Sequence, residues 1–489
     1  METGSSKSDL PIAIIGAGMS GILCAIRLRE HGYTNVVIYE KAETLGGTWR
    51  ENRYPGLSCD IPSHVYAYSF APNPDWSQKY SPGAEIQAYL ERITADYDIG
   101  SLMQFDREIT RCEFIDGAWQ LWSGATQLPN ATAVLAATGI LHHPRIPELE
   151  GLESFQGAAF HTARWPDGLS LDGKRVAIIG TGSTAVQIVN EVTDKVASLR
   201  LFQRTAQWIW PEPNSLYSED DKARFRDDPD ILRHIRQRMS GVIDERFSNA
   251  LVNVNGPEMA ALEAQCKRNI EEHLHDPELR RKLTPDYRAG CKRLIMADGF
   301  YANMQQPHMD VVTERIERIE TTGIRTADGT LHELDVLVLA TGFNAHQFMR
   351  PMQMVGVDGI TLEQFWADSV RAYRSICMPG FPNFFMLMGP QSPVGNFSLI
   401  DVAEIQFNYI AKLLDRLRDG QYSAVQPSVA ATEHFTADVI AAMKDTIWVT
   451  GCNSWYLDER GVPITWPWTV QDFADSMADV AFEDYELLN

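Results

Sequence analysis

No two of the seven cysteines, Cys24, Cys59, Cys112, Cys266, Cys291, Cys377 and Cys452, form a CxxC pair, and none belongs to a cluster with metal-ligand spacing. An odd number scattered so widely predicts reduced thiols in a reducing compartment and no metal site. It also argues against enzymes that pass electrons through a closely spaced dithiol. The chain lacks any run of about 18 apolar residues, and stretches such as 131–141 are too short to span a bilayer. Residues 1–10 are polar, without the apolar core of a signal peptide, so a cytoplasmic protein is expected. Basic residues are scarce: 43 Lys and Arg face 65 Asp and Glu, a net charge of -22. That field repels nucleic-acid backbones and anionic membrane surfaces, so neither is an expected partner, although local basic pockets are still allowed. What is present is 489 residues, 44% hydrophobic and 22% charged, the composition of a folded globular protein with material for about three domains.

The order of apolar runs predicts an α/β protein. Residues 11–15 read as a strand, 16–29 show helical spacing of Ile22, Ala25, Ile26 and Leu28, and 35–39 form a second strand ending at Glu40. The pattern returns as strand 175–179, helix 180–192 and strand 198–202. Two Rossmann-like dinucleotide-binding domains follow from this repetition. Two further strands close on almost the same phrase, AATG at 136–139 and LATG at 339–342, one on each side of the second unit. They predict crossings between a first domain and a second inserted within it. The expected boundaries are 1–145 for the first part of the first domain, 146–342 for the second domain, and 343–489 for the remainder of the first. Within the second, 212–290 turns charged and helix-forming, with Ile231, Ile235 and Met239 at helical intervals, which predicts a helical insertion.

The chemistry-bearing motifs sit at the two turns. Gly16-Ala-Gly18-Met-Ser20-Gly21 follows a strand and opens a helix, the GxGxxG arrangement in which glycines permit a tight turn and let backbone approach a pyrophosphate. Glu40, 24 residues after Gly16, is placed to accept hydrogen bonds from an adenosine ribose. Gly180-Thr181-Gly182-Ser183-Thr184-Ala185 repeats the turn, but 24 residues after Gly180 stands Arg204, followed by Thr205. A guanidinium in place of the carboxylate suits a 2'-phosphate, so FAD is expected at the first site and NADPH at the second.

Two long patterns then carry a resemblance. Residues 155–166, from Phe155 through Gly157, His161 and Trp165 to Pro166, match FxGxxxHxxxWP, and Gly46, Gly47, Trp49, Tyr54, Pro55, Gly56 and Asp60 match GGxWxxxxYPGxxxD. Both are fingerprints of type I Baeyer-Villiger monooxygenases, which the chain resembles through most of its length. The resemblance places the family's catalytic arginine at Arg293, with Lys292 beside it near the NADP phosphate, and a tryptophan near nicotinamide and substrate at Trp455. It implies oxidation of a ketone to an ester, or a cyclic ketone to a lactone, through a C4a-peroxyflavin formed with O2. A guanidinium cannot act as an acid at working pH and can hydrogen-bond an anionic peroxide and an oxyanion, and Asp60 would orient it.

From motifs and resemblance together the catalytic residues expected are Arg293 and Asp60. The cofactor-binding positions are Gly16, Gly18, Ser20, Gly21, Glu40, Gly47, Thr48, Trp49, Asp60, Tyr66 and Ile109, together with Gly180, Thr181, Gly182, Ser183, Thr184, Gln187, Arg204, Thr205, Lys292, Arg293 and Trp455. His161 is expected to tie a linker down rather than to move protons, and Trp165 to be core. Tyr54 and Tyr66 are placed to border the flavin ring or to pack. The aromatic C-terminal third, with Phe381, Phe384, Phe385, Trp448, Trp455, Tyr456, Trp466 and Trp468, predicts mostly core and part of an apolar pocket for a small hydrophobic ketone. The expected assembly is a monomer or weak homo-oligomer. Two other readings stand beside the ketone oxygenase: a flavin monooxygenase acting on sulfur or nitrogen, and a two-nucleotide redox sensor.

Overall fold

The computed structural model describes residues 10–395, 397–458, 460–462 and 464–488, so the polar segment 1–9 lies outside the described residues. Short runs of β-branched and aliphatic residues, buried on both faces, build two parallel sheets. β1 (Ile12–Ile15) is buried at every position, and is followed by α1 (Met19–Glu30) and β2 (Val36–Tyr39). β3 (Met103–Gln104) and β4 (Ala133–Ala136) come later in the chain. The second sheet takes β5 (Ala158–His161), β6 (Arg175–Ile179), β7 (Ser198–Phe202), β8 (Met309–Val312) and β9 (Val336–Leu339), with α2 (Ser183–Val192) after β6. Only then does β10 (Phe384–Met386) complete the first sheet. The strand orders are β10-β4-β1-β2-β3 and β8-β7-β6-β9-β5. The fold is therefore α/β with two Rossmann-like sheets, one interrupted in sequence by the other.

The near-identical phrases at the ends of β4 and β9 have a packing cause. Gly16 has φ +105°, and a Cβ there would stand 2.6 Å from the carbonyl oxygen of Ala137; Gly180 has φ +115°, and its Cβ would stand 2.2 Å from that of Ala340. Each small Ala-Thr-Gly stretch passes directly against a glycine turn, so bulk is excluded from both partners. Beyond them the two crossings pair with each other. Arg145 N–H donates to Gly342 O at 2.9 Å, and Asn344 N–H donates to His143 O at 2.9 Å. His161 fastens this ribbon to the second sheet: its Nδ1 accepts from Ala163 N–H at 3.1 Å, leaving Nε2 to donate to Gly342 O at 3.0 Å. Burial lowers its pKa, which keeps the ring neutral in that role. Trp165 is partly buried, edge-on to Phe160 with centroids 4.9 Å apart.

Charged, helix-forming sequence after β7 yields helices Glu219–Asp227, Pro229–Ile243, Pro257–His273 and Pro277–Leu283, three of them with proline in the first turn. Met239 and Ile243 lean on the core of the first sheet, and Arg236 from the same helix pairs with Asp401 and donates to Ala67 O at 2.6 Å. The helical segment thus grips both sheets. Two antiparallel meanders, Arg111–Ile115, Ala118–Ser123 and Thr126–Ala131 in one and Ile316–Glu320, Gly323–Thr326 and Leu331–Glu333 in the other, each lead into β4 and β9. Periodicity of the longer apolar runs gave no sign of them. Among the described residues no helix is long and apolar enough to cross a membrane, and no group of three potential ligands could hold a metal ion.

The expectation of reduced cysteines throughout is overturned. Cys291 and Cys452 form a disulfide across 161 residues of sequence, with Cα atoms 6.2 Å apart. Pairing depends on which loops meet in space, which a separation of that length does not reveal. The other five cysteines are buried free thiols whose pKa values burial raises, so they behave as small apolar side chains.

Gly21 offers a direct check on the packing. A Cβ there would lie 1.9 Å from Gly16 O, whereas one at Gly182 meets nothing within 4 Å. Gly21→Ala should destabilise the protein by about 1–3 kcal/mol in urea unfolding, while Gly182→Ala should stay within about 0.5 kcal/mol.

Candidate active site

Both glycine turns open onto one cavity of 680 Å³ between the sheets. α1 and α2 begin at Gly18 and Gly182, and neither helix has a side chain capping its first N–H groups. Those donors, with the positive end of each helix dipole, are free for phosphate oxygens. At the first turn Gly47, at φ +55°, lies so close that a Cβ would come within 3.1 Å of Gly18 Cα. Glycine is required at Gly47, by its positive φ and this close approach, whereas a Cβ at Gly18 would stand in ordinary contact, 3.7 Å from Gly47 Cα. Glu40 is buried behind it, Oε2 accepting from Ala17 N–H at 2.8 Å and Oε1 from Ala42 N–H at 3.0 Å, so the carboxylate fixes the turn while lining the cavity. Trp49 donates from its indole to Tyr66 at 3.3 Å, and the two rings meet edge-on at 5.6 Å. Burial raises the Tyr66 pKa, so its phenol keeps its proton.

The ionic centre lies across the seam. Arg293 comes between the helical segment and strand Ile295–Ala297, and Asp60 comes from the loop of the first unit. Nε and Nη2 of Arg293 donate to the same Asp60 oxygen at 3.1 and 2.8 Å, and Nη1 donates to Gly395 O at 2.8 Å. Burial disfavours the charged guanidinium, but Asp60, with Tyr456, outweighs it and raises the pKa above the ordinary arginine value. The side chains remain 28% and 25% exposed, enough to face the cavity they line. Lys292 points to a different environment, its ammonium 4.9 Å from the Tyr287 ring centroid. Burial lowers its pKa, and repulsion from Arg204 lowers it further. Neither cation has a carboxylate in ion-pair range among the described residues, and such an arrangement is relieved by an anion.

Of the positions anticipated from sequence, Gly16, Gly18, Ser20, Glu40, Gly47, Thr48, Trp49, Asp60, Tyr66, Ile109, Gly182, Ser183, Thr184, Gln187, Lys292, Arg293 and Trp455 line the cavity. The others lie off it. Gly21 and Gly180 serve packing, as described; Thr181 donates from its hydroxyl to Thr205 O at 2.8 Å, closing the turn; Arg204 is exposed and reaches the site through its proximity to Lys292.

Gln187 has a second role that its place in the motif did not announce. Its Oε1 accepts from Tyr54 at 2.8 Å, and its Nε2 donates to Ser58 O at 3.0 Å. Gly56, at φ +77°, fits so tightly under α2 that a Cβ would lie 2.6 Å from Gln187 O. The Tyr-Pro-Gly stretch of the second fingerprint is therefore a clasp between the two units. His142 and His143, from the first crossing, also line the cavity with ring centroids 4.0 Å apart, and burial lowers both pKa values, that of His142 to about 3. His346 holds the far wall through a 2.7 Å contact from Nε2 to Trp455 O. Single histidines without a surrounding motif carried no signal for this.

Gln187→Ala should cost about 1–3 kcal/mol of stability by removing two part-buried hydrogen bonds that join the units. A double-mutant cycle with Tyr54→Phe should give a coupling of at least about 0.5 kcal/mol, and additive losses would contradict the clasp.

Comparison with known proteins agrees with this architecture. Residues 10–362 match the flavin-binding monooxygenase-like family. An uncharacterised monooxygenase of Mycobacterium tuberculosis is 45% identical over 476 residues, covering 97% of this chain and 96% of its own. A Baeyer-Villiger monooxygenase of Streptomyces coelicolor is 39% identical over 482 residues, 98% of this chain and 92% of that one. Among solved structures, a cyclohexanone monooxygenase from a Rhodococcus species bound to NADP+ superposes with TM-score 0.88 at 27% identity, covering 99% of both chains. The OTEMO complex with FAD and NADP gives TM-score 0.89 at 25% identity over 98% and 99% of the two chains. The chain belongs to the flavin-binding monooxygenase-like family, and within it to the Baeyer-Villiger monooxygenases.

Proposed function

We propose that the protein is an FAD-containing, NADPH- and O2-dependent Baeyer-Villiger monooxygenase that converts a small hydrophobic ketone to an ester, or a cyclic ketone to a lactone. The observation carrying this reading is the Arg293–Asp60 pair, which puts a permanently charged guanidinium on the cavity that both glycine turns share. The uncapped start of α1, the Gly18–Gly47 cradle and Glu40 fit the pyrophosphate and ribose of FAD. The uncapped start of α2, with Lys292 over Tyr287 and Arg204 near it, neither in an ion pair among the described residues, fits NADPH and its 2'-phosphate.

When bound, the flavin supplies the redox chemistry, taking a hydride from NADPH and activating O2. The protein's part is electrostatic. Three hydrogen bonds engage Arg293 with Asp60 and Gly395, and its contact with Tyr456 takes a fourth position at most. A guanidinium has five N–H donors, so at least one is left for a negatively charged oxygen in the cavity. Because Arg293 cannot surrender a proton at working pH, it favours an anionic nucleophilic oxygen, the form that attacks a ketone carbonyl. Asp60 sets the direction of the guanidinium and balances part of its charge. Leu57, Val394, Phe397 and Trp455 line the same cavity, suiting an apolar ketone body.

Arg293→Ala should retain flavin reduction by NADPH yet lower ester formation about 100-fold to 1,000-fold, the usual loss for a preorganised charge donor. Ester at near wild-type rate would sink the role. Arg204→Ala should raise KM for NADPH roughly 10-fold to 100-fold, the equivalent of one charged hydrogen bond, with little change for NADH. Equal effects on the two coenzymes would overturn the 2'-phosphate assignment.

A further inference from the structure

The disulfide lies where the two walls of the cavity meet. Cys291 directly precedes Lys292 and Arg293, at a turn in which Gly290 takes φ +84° and Cys291 N–H donates to Arg288 O at 3.2 Å. Cys452 lies three residues before Trp455, in a stretch with buried ends and an exposed middle. Trp448 is 0% exposed at one end, packed with the helical segment, and Tyr456 is 1% exposed at the other. Between them Val449, Thr450, Gly451 and Asn453 are exposed. Cys452 is the covalent tie within that span, and the residues immediately after it, Asn453, Ser454 and Trp455, line the cavity.

We propose that the Cys291–Cys452 disulfide is a redox-sensitive clasp on the site: closed, it holds the Trp455 wall against the Lys292–Arg293 turn, and opened by a dithiol reductant it lets NADPH oxidation run without oxygen reaching the ketone. The consequence for coupling rests on the function proposed above; the consequence for loop order does not. Chemically, a thiolate of the dithiol attacks Sγ of half-buried Cys452, the sulfur–sulfur bond breaks, and Cys291 leaves as a thiolate that takes up a proton. The second thiol of the reductant then displaces the mixed disulfide. Two electrons and two protons enter the protein as two thiols, and the reductant leaves as its own disulfide. Cys291 is fully buried whereas Cys452 is partly exposed, so the incoming thiolate reaches Cys452 and Cys291 is the sulfur that leaves. The other five thiols are buried and raised in pKa, so they compete poorly in exchange.

Loss of the tie should increase motion of the exposed span, because Val449, Thr450, Gly451 and Asn453 bury little that would hold them once the covalent anchor is gone. The holoenzyme unfolded in air should show five titratable thiols, rising to seven after treatment with dithiothreitol. Reduced and desalted enzyme, and Cys452→Ser without reductant, should each be cleaved between residues 449 and 455 at least 10-fold faster in limited proteolysis. With ketone present, both should keep NADPH-dependent flavin reduction within about 2-fold of the oxidised enzyme. Ester formed per NADPH should fall at least 3-fold, with hydrogen peroxide making up the difference. Reoxidation should restore the wild type, and Cys452→Ser should not respond to dithiol. Seven thiols before reduction, or equal proteolysis and equal product per NADPH in both states, would overturn the clasp; Cys291→Ser gives the same comparison from the other side of the bond. If the oxidised enzyme makes no ester from any ketone, the proposed function fails, while thiol counts and proteolysis still decide the clasp.

Discussion

The arrangement turns on one ion pair, Arg293 with Asp60, made between residues 233 positions apart and drawn from opposite sides of a seam. A guanidinium in a cavity needs a carboxylate nearby, or burial would disfavour its charge. A carboxylate that takes both Nε and Nη2 on one oxygen also dictates where the remaining donors point. The rest of the seam serves this geometry. Tyr54, Ser58 and Gly56 lock onto Gln187, the crossing ribbon is pinned by His161, and the helical segment reaches back to Asp401 through Arg236. If either unit slid by an ångström, the shared oxygen and the cavity floor would be lost together.

The two nucleotide turns are built to the same plan and differ at the tip of the strand that follows. Each has a positive-φ glycine against a small strand end, and each opens an uncapped helix on the cavity. At the tip of the next strand one has a buried glutamate whose oxygens tie down the turn, and the other an exposed arginine close to a lysine. The protein carries a net charge of -22, yet both sites suit anionic phosphates. Local donors override the global field because they act at contact distance, while screening weakens the many distant carboxylates.

Much of this was legible in sequence because it is local. Glycine turns, apolar strands and the strand-tip residues Glu40 and Arg204 lie within one β-α-β span, where periodicity and fixed offsets apply. Asp60 was reached through a long fingerprint and Arg293 through the family resemblance, neither through spacing, and the structure brings them together. What stayed hidden depends on distant segments meeting. The disulfide joins two loops 161 residues apart, and reading all cysteines as reduced was wrong for that reason. The double duty of Gln187 is invisible until Tyr54 is placed against it. The antiparallel meanders were missed because their strands, such as Thr126–Ala131, are half exposed and too polar to stand out as apolar runs.

Arg293 and Asp60 are proposed to direct oxygen from a reduced flavin into a ketone. Reaction of the enzyme with NADPH, a panel of hydrophobic ketones and 18O2, followed by mass spectrometry, tests this role most directly. The expected product is an ester or lactone carrying one 18O atom, formed in near equal amount to the NADPH consumed. Oxidation of NADPH that yields only labelled hydrogen peroxide, or labelled sulfoxides and N-oxides but never a labelled ester, would contradict it.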